Sequence, residues 1–296
     1  IAEMTYKLGV NGHVYVEESF TGETETEIIQ GARIDGAKLA HKFMMLDAGR
    51  QETNVINAPI LVTNHTIKDI EQFKYNNEDG IFINDLIKEN KQALVIMAWK
   101  FEKEFLRQVA DLWKDKDIIQ NNQRKLFKGF KIICIKLPSI LTEQLKDVSI
   151  YVNAKMIDEG ANVPLSSVRV GDLGSAERLT ANAEETLIVG GGGKKEVIEE
   201  RIKEVKEQLA NEKIPEFKKR YEQRIADLAS GVGIIRVGFK SQVEQLYVFD
   251  KLQDAVLSTK EALKEGVVKG GGLALKEISE KLTEGNILKE PLLAPY

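Results

Sequence analysis

Val232-Gly233-Ile234-Ile235-Arg236-Val237-Gly238, following Ser230-Gly231, reads as a strand bounded by glycines. Beyond it, Gln242 to Glu265 has the pattern of a helix, and Gly266 stands where a C-capping glycine belongs. Gly270-Gly271-Gly272 then precedes another short helix. At the opposite end, Ile1-Ala2-Glu3-Met4 reads as a helix end, and Val14 and Val16 alternate with Tyr15 and Glu17 as in a half-buried strand. Gly9 and Asn11-Gly12 supply the turn between them. Residues 1–29 and 233–265 are each too thin to form a core alone, yet they flank one large block. A domain inserted between two chain segments that pair with each other accounts for this pattern.

Within that block, from about 57 to 153, short apolar runs alternate with helical stretches. Ile60-Leu61-Val62, Leu94-Val95-Ile96-Met97 and Ile132-Ile133-Cys134-Ile135 read as buried strands. Gly80 to Asn90 and Phe101 to Trp113 carry apolar residues at helical spacing, so the fold class is α/β, with mixed α+β character. Thr186-Leu187-Ile188-Val189 ends in Gly190 to Gly193, and a charged helical stretch from Lys194 to Leu228, broken near Pro215, suits an exposed helical hairpin. The four glycines with Lys194-Lys195 lack the spacing of a nucleotide loop and read as a surface turn.

The 296 residues are 43% hydrophobic, enough for more than one core. Lys and Arg number 42 against 46 Asp and Glu, a net charge of −4 spread without a basic block, which argues against nucleic acid and anionic membranes as partners. No stretch is apolar for the roughly 20 residues a bilayer requires. Cys134 reads as a buried, inert thiol, and the absence of a disulfide framework suits a reducing cytoplasm. His13, His41 and His65 share no ligand spacing with one another or with Cys134, so no metal site is expected. The first residue is Ile1 rather than Met, which points to a piece of a longer chain.

Leu228-Ala-Ser-Gly-Val-Gly-Ile-Ile-Arg-Val-Gly238, Val243-Glu244, Asp254-Ala255-Val256 and Glu265-Gly-Val-Val-Lys-Gly-Gly-Gly272 together resemble, in order and spacing, the group I chaperonins of the GroEL type. Gly12-His-Val-Tyr-Val-Glu17 resembles the family's hinge strand, and Gly171-Asp-Leu-Gly-Ser-Ala-Glu-Arg178 the end of its apical domain. The resemblance covers nearly the whole chain and is weakest at about 35–150. It implies an intermediate domain from 1–29 and 233–265, an apical substrate-binding domain at 30–232, and a stub of the equatorial domain at 266–296. The parent protein is then an ATP-driven folding machine using ATP and Mg, with unfolded polypeptides as clients, a cochaperonin, and sister subunits in a ring. ATP hydrolysis by this chain alone is expected to be negligible, because one of the family's two nucleotide-binding loops is missing from it.

By the same resemblance Asp254 is the catalytic carboxylate that orients or deprotonates the attacking water. Gly270, Gly271 and Gly272 would offer bare N–H groups to the nucleotide, and Gly31, Gly231 and Gly266 would serve as hinges. An exposed apolar groove for clients would draw on Phe82, Ile83, Leu86 and Ile87 of one helix, Phe105, Leu106 and Val109 of the next, and Phe43. Lys38 and Lys42 stand where the family usually has aromatic residues, implying a more polar client preference. Gln242 and Gly36 replace a glutamate–arginine pair between subunits, implying different ring coupling, a single ring or a bacteriophage homologue. Two other classes fit parts of the pattern: a small-molecule α/β enzyme, for which no nucleophile–base set is present, and an assembly element contacting sister subunits.

Overall fold

The computed structural model describes residues 1–8, 13–19, 21–49, 51–74, 82–89, 91–113, 130–138, 142–229, 231–239 and 241–294. The turn expected at Gly9 and Asn11-Gly12, the helix ends at Gly80 and Asn90, and Ser230 lie outside the described residues. Along the chain run α1 (Ala2–Leu8), β1 (His13–Glu18), β2 (Glu25–Asp35), β3 (Lys38–Leu39), β4 (Thr53–Ile56), β5 (Pro59–Val62) and β6 (Thr66–Ile67). Then come α2 (Phe82–Lys88), β7 (Ala93–Ala98), β8 (Lys100–Phe101), α3 (Lys103–Trp113), β9 (Lys131–Lys136) and α4 (Thr142–Val152). The remainder is β10 (Gly174–Ala181), β11 (Glu185–Gly191), α5 (Lys195–Asn211), α6 (Pro215–Ala229), β12 (Gly231–Val237), α7 (Gln242–Glu265) and α8 (Leu273–Lys281). The mixed α/β class expected from the sequence is the class observed.

The chain separates into two compact units: Ile1–Val10, Val14–Glu25 and Ile235–Tyr296 form the smaller, and Thr26–Ile234 with Asn11–His13 the larger. In the larger unit β5, β7 and β9 are parallel, with Ile60 opposite Val95 and Val95 opposite Ile133. Their side chains are buried on both faces, which is why these strands read as unbroken apolar runs rather than alternating ones. Parallel neighbours need crossovers, and α2 and α3 occupy the two connections. β10 and β11 form an antiparallel hairpin whose turn is fixed by Asn182, its Oδ1 accepting from the N–H groups of Glu184 and Glu185. β11 pairs β2 on its far side, and β10 pairs both β4 and β5 on its own.

The glycines after Val189 are a packing requirement rather than the open surface turn expected. A Cβ on Gly191 would lie 2.4 Å from the carbonyl oxygen of Tyr151, and one on Gly193 2.3 Å from that of Ile150. The end of α4 therefore passes too close to the end of β11 for any side chain between them.

The helical hairpin expected after Lys194 is present as α5 and α6, with Pro215 opening α6 where its missing N–H costs nothing. Its attachment to α4 is ionic as well as apolar. Arg201 and Arg224 are buried, and both donate to Asp147 of α4, from Arg201 Nε to Oδ1 at 2.7 Å and from Arg224 Nε to Oδ2 at 2.6 Å. Arg201 also reaches Glu143 at 2.7 Å and Glu204 at 2.9 Å. Burial alone would lower the Arg201 pKa, but these three carboxylates hold it raised.

The smaller unit has its own core of Met4, Val16, Ile235, Val237 and Phe249. Gln245 of α7 donates to the carbonyls of Ser19 at 2.9 Å and Val237 at 2.7 Å, and Arg236 Nε donates to Glu17 at 2.7 Å. Among the described residues no helix is long and apolar enough to cross a membrane.

Candidate functional site

The faces of α2 and α3 are set by an aromatic cluster. Phe73 meets Phe82 edge-on at 5.6 Å and lies 6.2 Å from Phe105, while Phe101 stacks on Phe105 at 5.9 Å. Phe82, Ile83 and Leu86 of α2 and Phe105 and Val109 of α3 have no solvent exposure. These five residues are core, which corrects the expectation that they line an exposed groove. The physical reason is that both helices close parallel β crossovers, and each must bury an apolar face against the sheet.

Ile87, Leu106 and Phe43 remain half-buried. On α3 the accessible stripe runs Leu106, Ala110, Trp113, all half-buried, at the i, i+4, i+7 spacing of one helix face. Trp113, which the sequence reasoning passed over as a helix end, meets Phe43 edge-on at 5.4 Å. His41 lies 5.0 Å from Phe43, and Lys131 Nζ stands 4.7 Å from the centre of the Trp113 ring. The seven-residue step from Leu106 to Trp113 was the sequence signal that could have found it. The solvent side of α3 is an internally neutralised ladder, with Arg107 held by Glu104 at 2.6 Å and Asp111 at 3.2 Å. The bond from Arg107 keeps the Glu104 carboxyl below its ordinary pKa.

Gly31 and Gly231 both lie inside strands, in β2 and β12, near where the chain passes between the units. A Cβ on Gly31 would stand 2.0 Å from Cγ2 of Val232, so this glycine is demanded by the close approach of β12. Gly266 is different: it caps α7 at φ +83, its N–H donating to Ala262 at 2.9 Å, with open space around it. Only its backbone conformation requires glycine.

Asp254 is exposed on α7. It sits 11 residues before Glu265, the last of the helix, hence about 17 Å along the axis at 1.5 Å per residue. Gly271 and Gly272 have φ of +61 and +77, and Gly272 caps the start of α8. Gly270 and Gly271 have nothing within 4 Å of where a Cβ would be, so their backbone is open to a ligand. Helix α7 holds the Asp254 carboxylate well away from its own C-terminal end.

The mixed α/β fold is consistent with a GroEL-like chaperonin segment, and by sequence the chain belongs to that class. The relative that places it there is Chaperonin GroEL of Carsonella ruddii (strain PV), 30% identical over 285 residues, which is 95% of this chain and 50% of the relative. The chain thus spans about half the length of the curated relative it matches. No family model matches the chain.

Proposed function

We propose that the larger unit captures non-native polypeptide through the apolar side chains its helices leave accessible: Phe43, Ile87, Leu106 and Trp113. The similarity to a GroEL chaperonin along 95% of the chain carries this reading. Unfolded chains share exposed apolar surface and little else, so half-buried apolar residues on a folded scaffold are the chemistry that recognises them. In this reading Thr26–Ile234 acts as the apical lobe. Gly31 and Gly231 sit at its hinge, and Gly266 at a lower one.

The whole chaperonin works as a cytoplasmic ring of sister subunits, with a cochaperonin, and driven by ATP and Mg. The open backbone of Gly270 and Gly271, leading into Gly272 at the N-terminus of a helix, fits the approach of a phosphate without side-chain clash. When bound, ATP supplies the hydrolysable phosphoanhydride; Asp254 would accept a hydrogen bond from water beside it. Domain rotation in the whole protein would bring that carboxylate into place.

Leu106→Glu and Phe43→Ser test the capture surface. Each is expected to weaken binding of a denatured client by about tenfold, read by suppression of its aggregation, while the circular dichroism spectrum stays native. Unchanged capture by both folded variants would remove this surface from the account.

A further inference from the structure

The capture surface is bordered by uncompensated positive charge. Lys42 is exposed immediately before Phe43, and Lys131 lies over Trp113. Lys38 and Lys136 are direct cross-strand partners in β3 and β9, a like-charged pairing that costs stability when nothing negative answers it. Among the described residues, Lys38, Lys42, Lys131 and Lys136 have no carboxylate partner, whereas on α2 and α3 Lys88 is paired with Asp85, and Arg107 with Glu104 and Asp111. Of these four, Lys42 next to Phe43 and Lys131 over Trp113 stand beside the aromatic pair, while Lys38 and Lys136 sit at the other end of β9, about 17 Å from Lys131 at 3.3 Å per residue.

We infer that this ledge selects polypeptide segments in which Asp or Glu lies within a few residues of an aromatic or branched apolar side chain. The apolar group packs against Phe43 and Trp113, and the carboxylate meets Lys42 or Lys131. The inference rests on the capture reading and narrows its client class. It runs against the bulk field of the chain, whose net charge of −4 would by itself disfavour acidic segments. An acidic preference is therefore diagnostic of the local patch.

The test uses labelled peptides with identical apolar residues and either acidic, amide or basic residues between them, with binding to this chain read by fluorescence anisotropy. The acidic peptide is expected to bind about fivefold tighter than the amide one at low salt, with the gap closing at high salt. In Lys42→Gln with Lys131→Gln the ratio of acidic to amide binding should fall to about one, whatever the affinity of the amide peptide becomes; Lys42→Gln alone, at an exposed site, should narrow the gap and guards against a folding defect. Equal binding of acidic and amide peptides, or a gap that survives the double substitution, overturns the inference while leaving capture standing. Failure of every peptide and of a denatured client to bind would instead sink the capture reading, and the inference with it.

Discussion

Asp147 holds two buried guanidinium groups at once, and its removal would strand both. Asp147→Ala should cost about 3–5 kcal/mol in denaturant unfolding, the range for breaking a buried ion pair from one side. A loss below about 1 kcal/mol would mean that water reaches Arg201 and Arg224 freely. Gly31 makes a different kind of demand. Gly31→Ala places a methyl group inside Val232 and should destabilise by about 1–3 kcal/mol; an unchanged midpoint would show that β12 yields easily. Cys134, whose thiol pKa burial pushes well up, is inert for the reason its apolar surroundings in the sequence suggested.

At the scale of elements, the hairpin α5–α6 is fastened to α4 by a cluster whose outer carboxylate, Glu143, titrates. Burial pushes the Glu143 pKa up, but hydrogen bonds from Lys146 and Arg201 outweigh it and leave the group below its ordinary value. A depressed carboxylate stabilises the fold above its unfolded pKa and loses that contribution as pH falls through its folded one. The melting midpoint should therefore be level down to about pH 5 and drop below about pH 4. Glu143→Gln should lower the midpoint at neutral pH and make the acid slope shallower; an identical slope would assign the acid sensitivity elsewhere.

The elements also show what could be read beforehand. β5, β7 and β9 were legible because strands buried on both faces are uninterrupted apolar runs, and α7 because Gly266 marks its end. α4 was missed: Glu143 and Asp147 look like a solvated face, and only the arginines of α5 and α6, more than fifty residues away, explain why Asp147 is buried. The apolar stripes of α2 and α3 were legible as helical but not by orientation. Phe105 and Leu106 are adjacent and equally apolar, and the sheet beneath decides that the first is core and the second accessible.

For the whole molecule, the insertion of one unit between two segments of the other was visible in the thinness of both flanks, and the glycine-bounded strand at 231–238 carried the family resemblance. The catalytic half of the account, Asp254 with Gly270, Gly271 and Gly272, came from that resemblance, since an exposed helix aspartate and a glycine triplet have no distinguishing pattern of their own. The capture role of the larger unit is tested most directly by hydrogen exchange on this chain with and without a permanently unfolded client. Capture through the accessible stripe predicts slowed exchange at 41–44 and 103–113 and none in α5 and α6. Protection confined to the α5–α6 hairpin, or no protection at a client concentration that saturates binding, would contradict it.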